Sequence, residues 1–365
     1  MRLIIASLFI AVVCGLAVPA QAQTPNTLSQ KEISDGWLLL FDGETDYGWK
    51  SQDNFLAKWS ALDGSLQTSD RLGMLTTTTE FMDFDFKCEH LDENGGTGGV
   101  AVVHRGGFAG FGMSRTSRSG WNTIFIERRG STLSSGVPGK MNKFPSRFEN
   151  GRIAIGLMSG GKGNVRFRNI KLRPLGLKSI FNGKDLSGWK VIEGHKSEFS
   201  VTKEGWLNIK NGNGEIQTDG TWGDLVLQIE VYSNGDHLNS GVFFREQPGQ
   251  FWLGYEAQIR NQWEGDDRTR PVDFGTGAIY NRQKVRKVVS SDREWFTMTV
   301  TAIGNHLATW VNGIQVTDFT DTRPEDQTNA RKGSRTAAGV LGLQGHDPTT
   351  DLSFRNIRIA EIPAK

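Results

Sequence analysis

"IFNGKDLSGW", residues 180–189, restates "LFDGETDYGW", residues 40–49, within one chain of 365 residues. Each phrase sets an apolar pair before Asn-Gly or Asp-Gly and closes on Gly-Trp at the same offset. The bodies that follow also correspond. "EFMDFDFKCEHLDENGGTGGVAVVHR" from Glu80 aligns with "GTWGDLVLQIEVYSNGDHLNSGVFFR" from Gly220, and "VRFRNIKL" from Val165 with "LSFRNIRI" from Leu352. A chain that repeats its opening, middle and end in order contains two copies of one unit. Leu225 to Val231, Gly241 to Arg245, Phe296 to Ile303 and Leu307 to Val311 are short alternating segments bounded by Gly, Asn and Asp, the pattern of strands. "WVNGIQV" at 310–316 holds an Asn-Gly pair between strand-like flanks, a strong hairpin signal. No amphipathic pattern of three helical turns interrupts them. The expected fold is all-β: two tandem antiparallel β-sandwiches over 30–175 and 178–363, joined near Pro174 to Lys178.

Composition narrows the partners. A hydrophobic share of 37% with 22% charged residues is that of a globular protein. Forty-two basic against 40 acidic side chains, with no run of one sign, gives nothing that would track a phosphate backbone, so no nucleic-acid partner is expected. The 45 glycines and 11 tryptophans suit tight turns and flat platforms for sugars. Arg2, an apolar run from Leu3 to Val18, and Ala20 and Ala22 form a secretory leader over 1–22, with cleavage expected after Ala22 and a secreted or periplasmic location. No later segment reaches the roughly 20 apolar residues of a membrane span. Without Cys14 of the leader only Cys88 remains, which excludes an intrachain disulfide; its alternation with Phe84 and Phe86 reads as core. Oligomeric state is not legible.

The second copy carries a family resemblance. "FNGKDLSGW", "NSGVFFR" at 239–245, "GYEAQI" at 254–259, "GAIY" at 277–280, "LQGH" at 343–346 and "FRNIRI" at 354–359 resemble, in order, the 3-keto-disaccharide hydrolase domain family. The first copy resembles it only at its opening, around "GGVAVVHR" and at its end. The resemblance implies a concanavalin-like jelly roll acting on 3-oxo sugars, complete in the second copy and truncated, without catalysis, in the first.

Strand parity then groups side chains. Glu256 and Gln258 share one face, with Tyr255, Ala257 and Ile259 on the other; Gln344 and His346 share a face; Asn239 and Arg245 have matching parity unless Gly241 introduces a bulge. Taken singly, Glu256, His346 and Arg245 read as a solvated carboxylate, a structural imidazole and a surface cation. Together they make a polar floor on a concave sheet. A ketone at C3 of a sugar acidifies the hydrogen on C2; its removal gives an enolate that expels the group on C1, and water then adds. This needs a base, donors for the enolate oxygen and an acid for the leaving group. His346 and Glu256 are the candidate bases, imidazole by its ordinary titration range and Glu256 if burial raises its pKa. Arg245 suits the enolate oxygen. Asn239, Gln258 and Gln344 would hold hydroxyls, and Trp252 and Trp263 would stack on the ring. No cofactor is required; in a second version a divalent metal on Glu256 and His346 chelates the ketone. The rival reading is a non-catalytic lectin-like or laminin-G-like binding protein. A conventional two-carboxylate glycosidase lacks its acidic strand here.

Overall fold

The computed structural model describes residues 24–104, 107–111, 120–137, 139–145 and 151–363. The leader expected over 1–22, with Cys14, lies outside them. Among the described residues no helix is long and apolar enough to cross a membrane.

The repeated phrase builds the same device twice. Asp42 Oδ1 accepts from the backbone N–H of Glu44 (2.9 Å) and Thr45 (3.0 Å), and Asn182 Oδ1 from those of Lys184 (2.7 Å) and Asp185 (3.0 Å). These are side-chain-closed turns, for which Asp and Asn are suited by their short acceptors. Each phrase ends by burying its tryptophan, whose indole N–H donates to a carbonyl nine residues back: Trp49 to Leu40 at 2.5 Å and Trp189 to Ile180 at 3.1 Å.

The protein is all-β, two concanavalin-like jelly-roll sandwiches in tandem. Each has a five-stranded antiparallel sheet of the same spatial order. In the first repeat it runs Trp49–Ser51, Leu72–Thr77, Ala154–Gly160, Gly98–His104, Gly107–Phe111; in the second, Trp189–Val191, Gly214–Thr218, Val340–Gly345, Ser240–Glu246, Tyr255–Ile259. Each packs across a buried apolar core: Phe84, Phe86, Val100, Leu157 and Phe167 in the first, and Leu227, Val242, Tyr255, Leu343 and Phe354 in the second. Cys88 is buried in the first core, and burial pushes its thiol pKa upward.

The opposing sheets of the two sandwiches are continuous. Leu38–Leu39 pairs antiparallel with Asn164–Pro174 of its own repeat and parallel with Ile314–Thr320 of the second, Leu39 facing Ile314. The join depends on the Asn-Gly hairpin. Asn312 (φ +50°) and Gly313 (φ +76°) are left-handed, as a two-residue turn between right-twisted strands requires, and the Gly313 carbonyl accepts from Leu39 N–H at 2.7 Å. A Cβ on Gly313 would lie 2.1 Å from a Leu28 methyl.

Candidate active site

The Tyr255–Ile259 strand is buried on both faces, and its alternation decides which residues meet solvent-accessible space. Tyr255, Ala257 and Ile259 enter the core, and Glu256 and Gln258 emerge on the concave side. On that side lies a cleft of about 100 Å³ lined by Asn239, Trp252, Glu256, Gln258, Tyr280, Arg331, Gln344 and His346. Six of the eight residues proposed from sequence are thus brought together.

His346 is held at both ring nitrogens. Nδ1 lies 2.9 Å from Asp347 Oδ2, and Nε2 lies 3.2 Å from Asn239 Nδ2. Asn239 Oδ1 in turn accepts from Gln258 Nε2 at 3.4 Å, which leaves Nδ2 as the donor toward the ring. That assignment makes His346 Nε2 an acceptor and places the ring proton on Nδ1, against Asp347. Asp347 is fixed by Thr349, whose N–H donates to Oδ1 at 2.8 Å. Gln258 Nε2 also donates to Asp273 Oδ2 at 2.6 Å, so its amide is oriented with Oε1 unpaired. Gln344 Oε1 is likewise buried and unpaired.

Glu256 is 7% exposed, and burial pushes its pKa up to about 8, opposed by Arg331 and reinforced by Asp273 and Glu215. Near neutral pH it is chiefly a carboxylic acid. Arg331 Nη2 lies 3.5 Å from Glu256 Oε2. Its Nε donates to the Trp252 carbonyl at 2.6 Å, and its guanidinium stands 5.5 Å from the Trp252 ring. Sequence periodicity gave no sign of Arg331, because it sits in an irregular loop. Arg323 clamps that loop, donating to the carbonyls of Ala330 (2.8 Å), Arg331 (3.1 Å) and Gly333 (2.9 Å), and is itself anchored on Asp321, which accepts from Tyr255 O–H at 2.7 Å.

Two expected residues are elsewhere. Arg245 is fully buried and away from the cleft: its guanidinium pairs with Asp224 at 2.7 Å and donates to the carbonyls of Gly223 (2.7 Å), Gly304 (2.6 Å) and Arg335 (2.9 Å). The parity argument failed here because the strand bulges between Phe243 and Glu246, with Arg245 itself at φ +48°. Arg331 is the cation that faces the cleft. Trp263 packs against the second core with Arg268 4.0 Å above its ring, also outside the cleft. Trp252 is in place, 38% exposed and stacked on Phe251 at 4.5 Å.

Beside the cleft the floor holds a carboxylate pair that strand reading also missed. A Cβ on Gly342 would lie 1.7 Å from Glu215 Oε1 and 2.5 Å from Glu246 Oε2, so glycine leaves the space that two acids from flanking strands fill. Both are fully buried, and burial raises the pKa of each. For the metal version of the site, Glu256 and His346 do share the cleft, but no set of three or more His, Cys, Asp or Glu placed to hold a metal ion occurs among the described residues.

The model of the 3-keto-alpha-glucoside-1,2-lyase-like domain matches residues 176–360. The chain belongs to that family. The family's residues therefore include every side chain of the cleft and the Glu215–Glu246 pair, while the first repeat lies before them. No curated protein matches the chain. Among solved structures, similarity extends to a protein of Parabacteroides distasonis provisionally assigned as a glycosyl hydrolase (22% identity, TM-score 0.42, covering 52% of this chain and 94% of that one). A carbohydrate-binding module from Bacillus subtilis (16%, 0.35, 48% and 97%) and a Bacillus licheniformis β-glucanase (14%, 0.35, 51% and 99%) are also similar. Membership makes this a carbohydrate-active protein.

Proposed function

We propose that the second repeat cleaves 3-keto-glycosides by proton abstraction at C2, elimination at C1 and hydration. The observation that carries this reading is the meeting, in one cleft, of an imidazole whose Nε2 is set as an acceptor and a carboxyl kept protonated by burial. The pair sets a proton acceptor and a proton donor side by side. His346 Nε2 takes the C2 proton while Asp347 holds the imidazolium that forms. Arg331 faces the enolate oxygen, the part first assigned to Arg245. Glu256 gives its proton to the departing oxygen of C1. Water then adds across the C1–C2 double bond: the Glu256 carboxylate takes a proton from it as its hydroxide joins C1, and the His346 imidazolium, its proton exchanged with solvent, protonates C2, so both groups are restored and the net change is hydrolysis. The unpaired Gln258 and Gln344 oxygens accept from sugar hydroxyls and Trp252 stacks on the ring.

Cleavage of a 3-keto-glucoside in heavy water tests the scheme. Product carrying deuterium at C2, beyond exchange of the free keto-sugar in an enzyme-free control, is expected; C2 protium retained throughout supports direct displacement instead. Binding of sugars without turnover would point to the lectin-like alternative. The leader motif over 1–22 further supports export of the protein, which mass measurement of the mature N-terminus checks: a chain beginning at Gln23 is expected.

A further inference from the structure

Between the repeats lies a second cleft, of about 410 Å³, within the roughly 300–1,000 Å³ of small-molecule sites. One wall is the concave sheet of the first repeat, presenting Lys50, Gln52, Thr76 and Ala154; the other is the Ile303–His306 turn of the second. The walls are tied together. Arg152 of the first repeat, 6% exposed, pairs with Asp224 of the second, and the same carboxylate accepts from Arg245 (2.7 Å) and from the Gly304 N–H (2.8 Å). The buried Arg245 thus acquires a purpose: it shares the carboxylate that fixes the turn over the first sheet.

The lining has a definite chemistry. Gln52 Nε2 donates to Thr76 Oγ1 at 2.6 Å, and Asn305 Nδ2 donates to the Asp321 carbonyl at 3.0 Å. Each amide is thereby oriented, with its oxygen left as an acceptor. Lys50 adds donors, and Ala154 and Ile303 add aliphatic surface between the polar groups. Arg152 and Arg245 share Asp224, Glu80 of the lining lies 3.9 Å from Arg152, and His306 stands 3.1 Å from Asp318, so two carboxylates offset the two guanidinium groups at one end and one faces the imidazole at the other. Fixed donors and acceptors beside aliphatic patches, with Arg152, Glu80 and His306 set in ion pairs, complement a pyranose, whose hydroxyls alternate with C–H faces.

We propose that this cleft is a second saccharide site, taking a neutral disaccharide, separate from the candidate active site. The inference rests on the carbohydrate class of the function given above and not on its 3-keto chemistry. Titration of the full chain with trehalose, sucrose and cellobiose, none of which carries the ketone, tests it. At least one sugar should bind; the Lys50→Met/Gln52→Leu variant should lose affinity tenfold or more, and Glu256→Gln should retain it. Turnover of a 3-keto-glucoside should be unchanged in the cleft variant. Should that double variant misfold, judged by its melting temperature, Asn305→Ala provides the same comparison from the other wall. Absence of binding by all three sugars, binding untouched by the cleft variants, or binding abolished by Glu256→Gln would overturn the proposal, and so would displacement of the sugar by inorganic phosphate, which marks an anion site. Turnover without second-site binding sinks only this inference. Binding without turnover sinks only the mechanism above.

Discussion

Where the second concave sheet sets Glu215 opposite Gln344, the first sets Met74 opposite Met158. The glycines correspond too: Gly342 faces Gln217, and Gly156 faces Thr76. In the first repeat Met74, Ala101 and Met158 close into a small apolar cluster under Phe55 and Val103. In the second, the same floor holds two buried acids and two amides with unpaired oxygens. Burying methionine needs no partner, whereas an unpaired polar group in the interior costs about 1–3 kcal/mol. One backbone thus supports a filling chosen for stability and another that is costly until hydroxyl groups reach it. The polar face is the one expected to act.

Three kinds of experiment can break or sharpen this contrast. The largest effect should come from His346→Ala, which should lower turnover of a 3-keto-glucoside about 10²- to 10⁴-fold, with Arg331→Met lowering it about 10²- to 10³-fold. Met158→Gln, which places an amide at the corresponding point of the first face, should leave turnover unchanged. A comparable loss there would erase the distinction between the faces. Rate should also fall as pH rises through about 8, where Glu256 loses its proton, and Glu256→Gln should remove that limb along with most of the activity.

An intermediate effect is expected from the paired glycines. Gly342→Ala drives a methyl onto the carboxylates of Glu215 and Glu246, and should cost about 1–3 kcal/mol in denaturant unfolding. At Gly156 the new methyl would meet Val103, Ala101 and Met74 side chains at 3.1–3.5 Å, and the loss should be under about 1 kcal/mol. Equal losses would mean that the acid pair does not occupy the space left by Gly342.

The smallest effect is one of pH on stability. Burial raises the pKa values of Glu215 and Glu246, so over the range from their ordinary values upward the folded chain keeps protons that the unfolded chain releases. Their contribution is therefore fully present in acid and is lost as pH rises. Glu246→Gln, which cannot ionise, should narrow the drop in melting temperature between pH 5 and pH 8, whereas Met74→Leu should leave that drop as it is.

Much of the second face was legible in the sequence because strands alternate with a period of two. Glu256, Gln258, Gln344 and His346 lie on the side that parity assigned to them. Parity held only where the strand was regular: one bulge at Phe243–Glu246 turned Arg245 into the interior. Arg331 belongs to a loop delivered by Arg323, and such long-range placement leaves no local periodic trace. Glu215 sits in "GEIQT", where alternating Glu and Gln could have marked a polar face, but nothing local told that both were buried. The repeated phrase announced two sandwiches. It could not announce that their sheets fuse, since the pairing of Leu39 with Ile314 depends on a turn far along the chain.

That fusion has a consequence for how the protein is made. During synthesis the edge at Leu38–Leu39 emerges about 275 residues before Ile314, its partner, which at ~5–20 residues per second is a delay of tens of seconds. Once Asn164–Pro174 has emerged and paired, and for the roughly 140 residues that remain before Ile314, a nascent first sandwich presents an unpaired strand edge of the kind that other chains can join. The ribosome thus imposes a waiting period on the seam, and whatever masks Leu38–Leu39 until the Asn312–Gly313 hairpin arrives would decide whether the two sheets close on each other or on a neighbour.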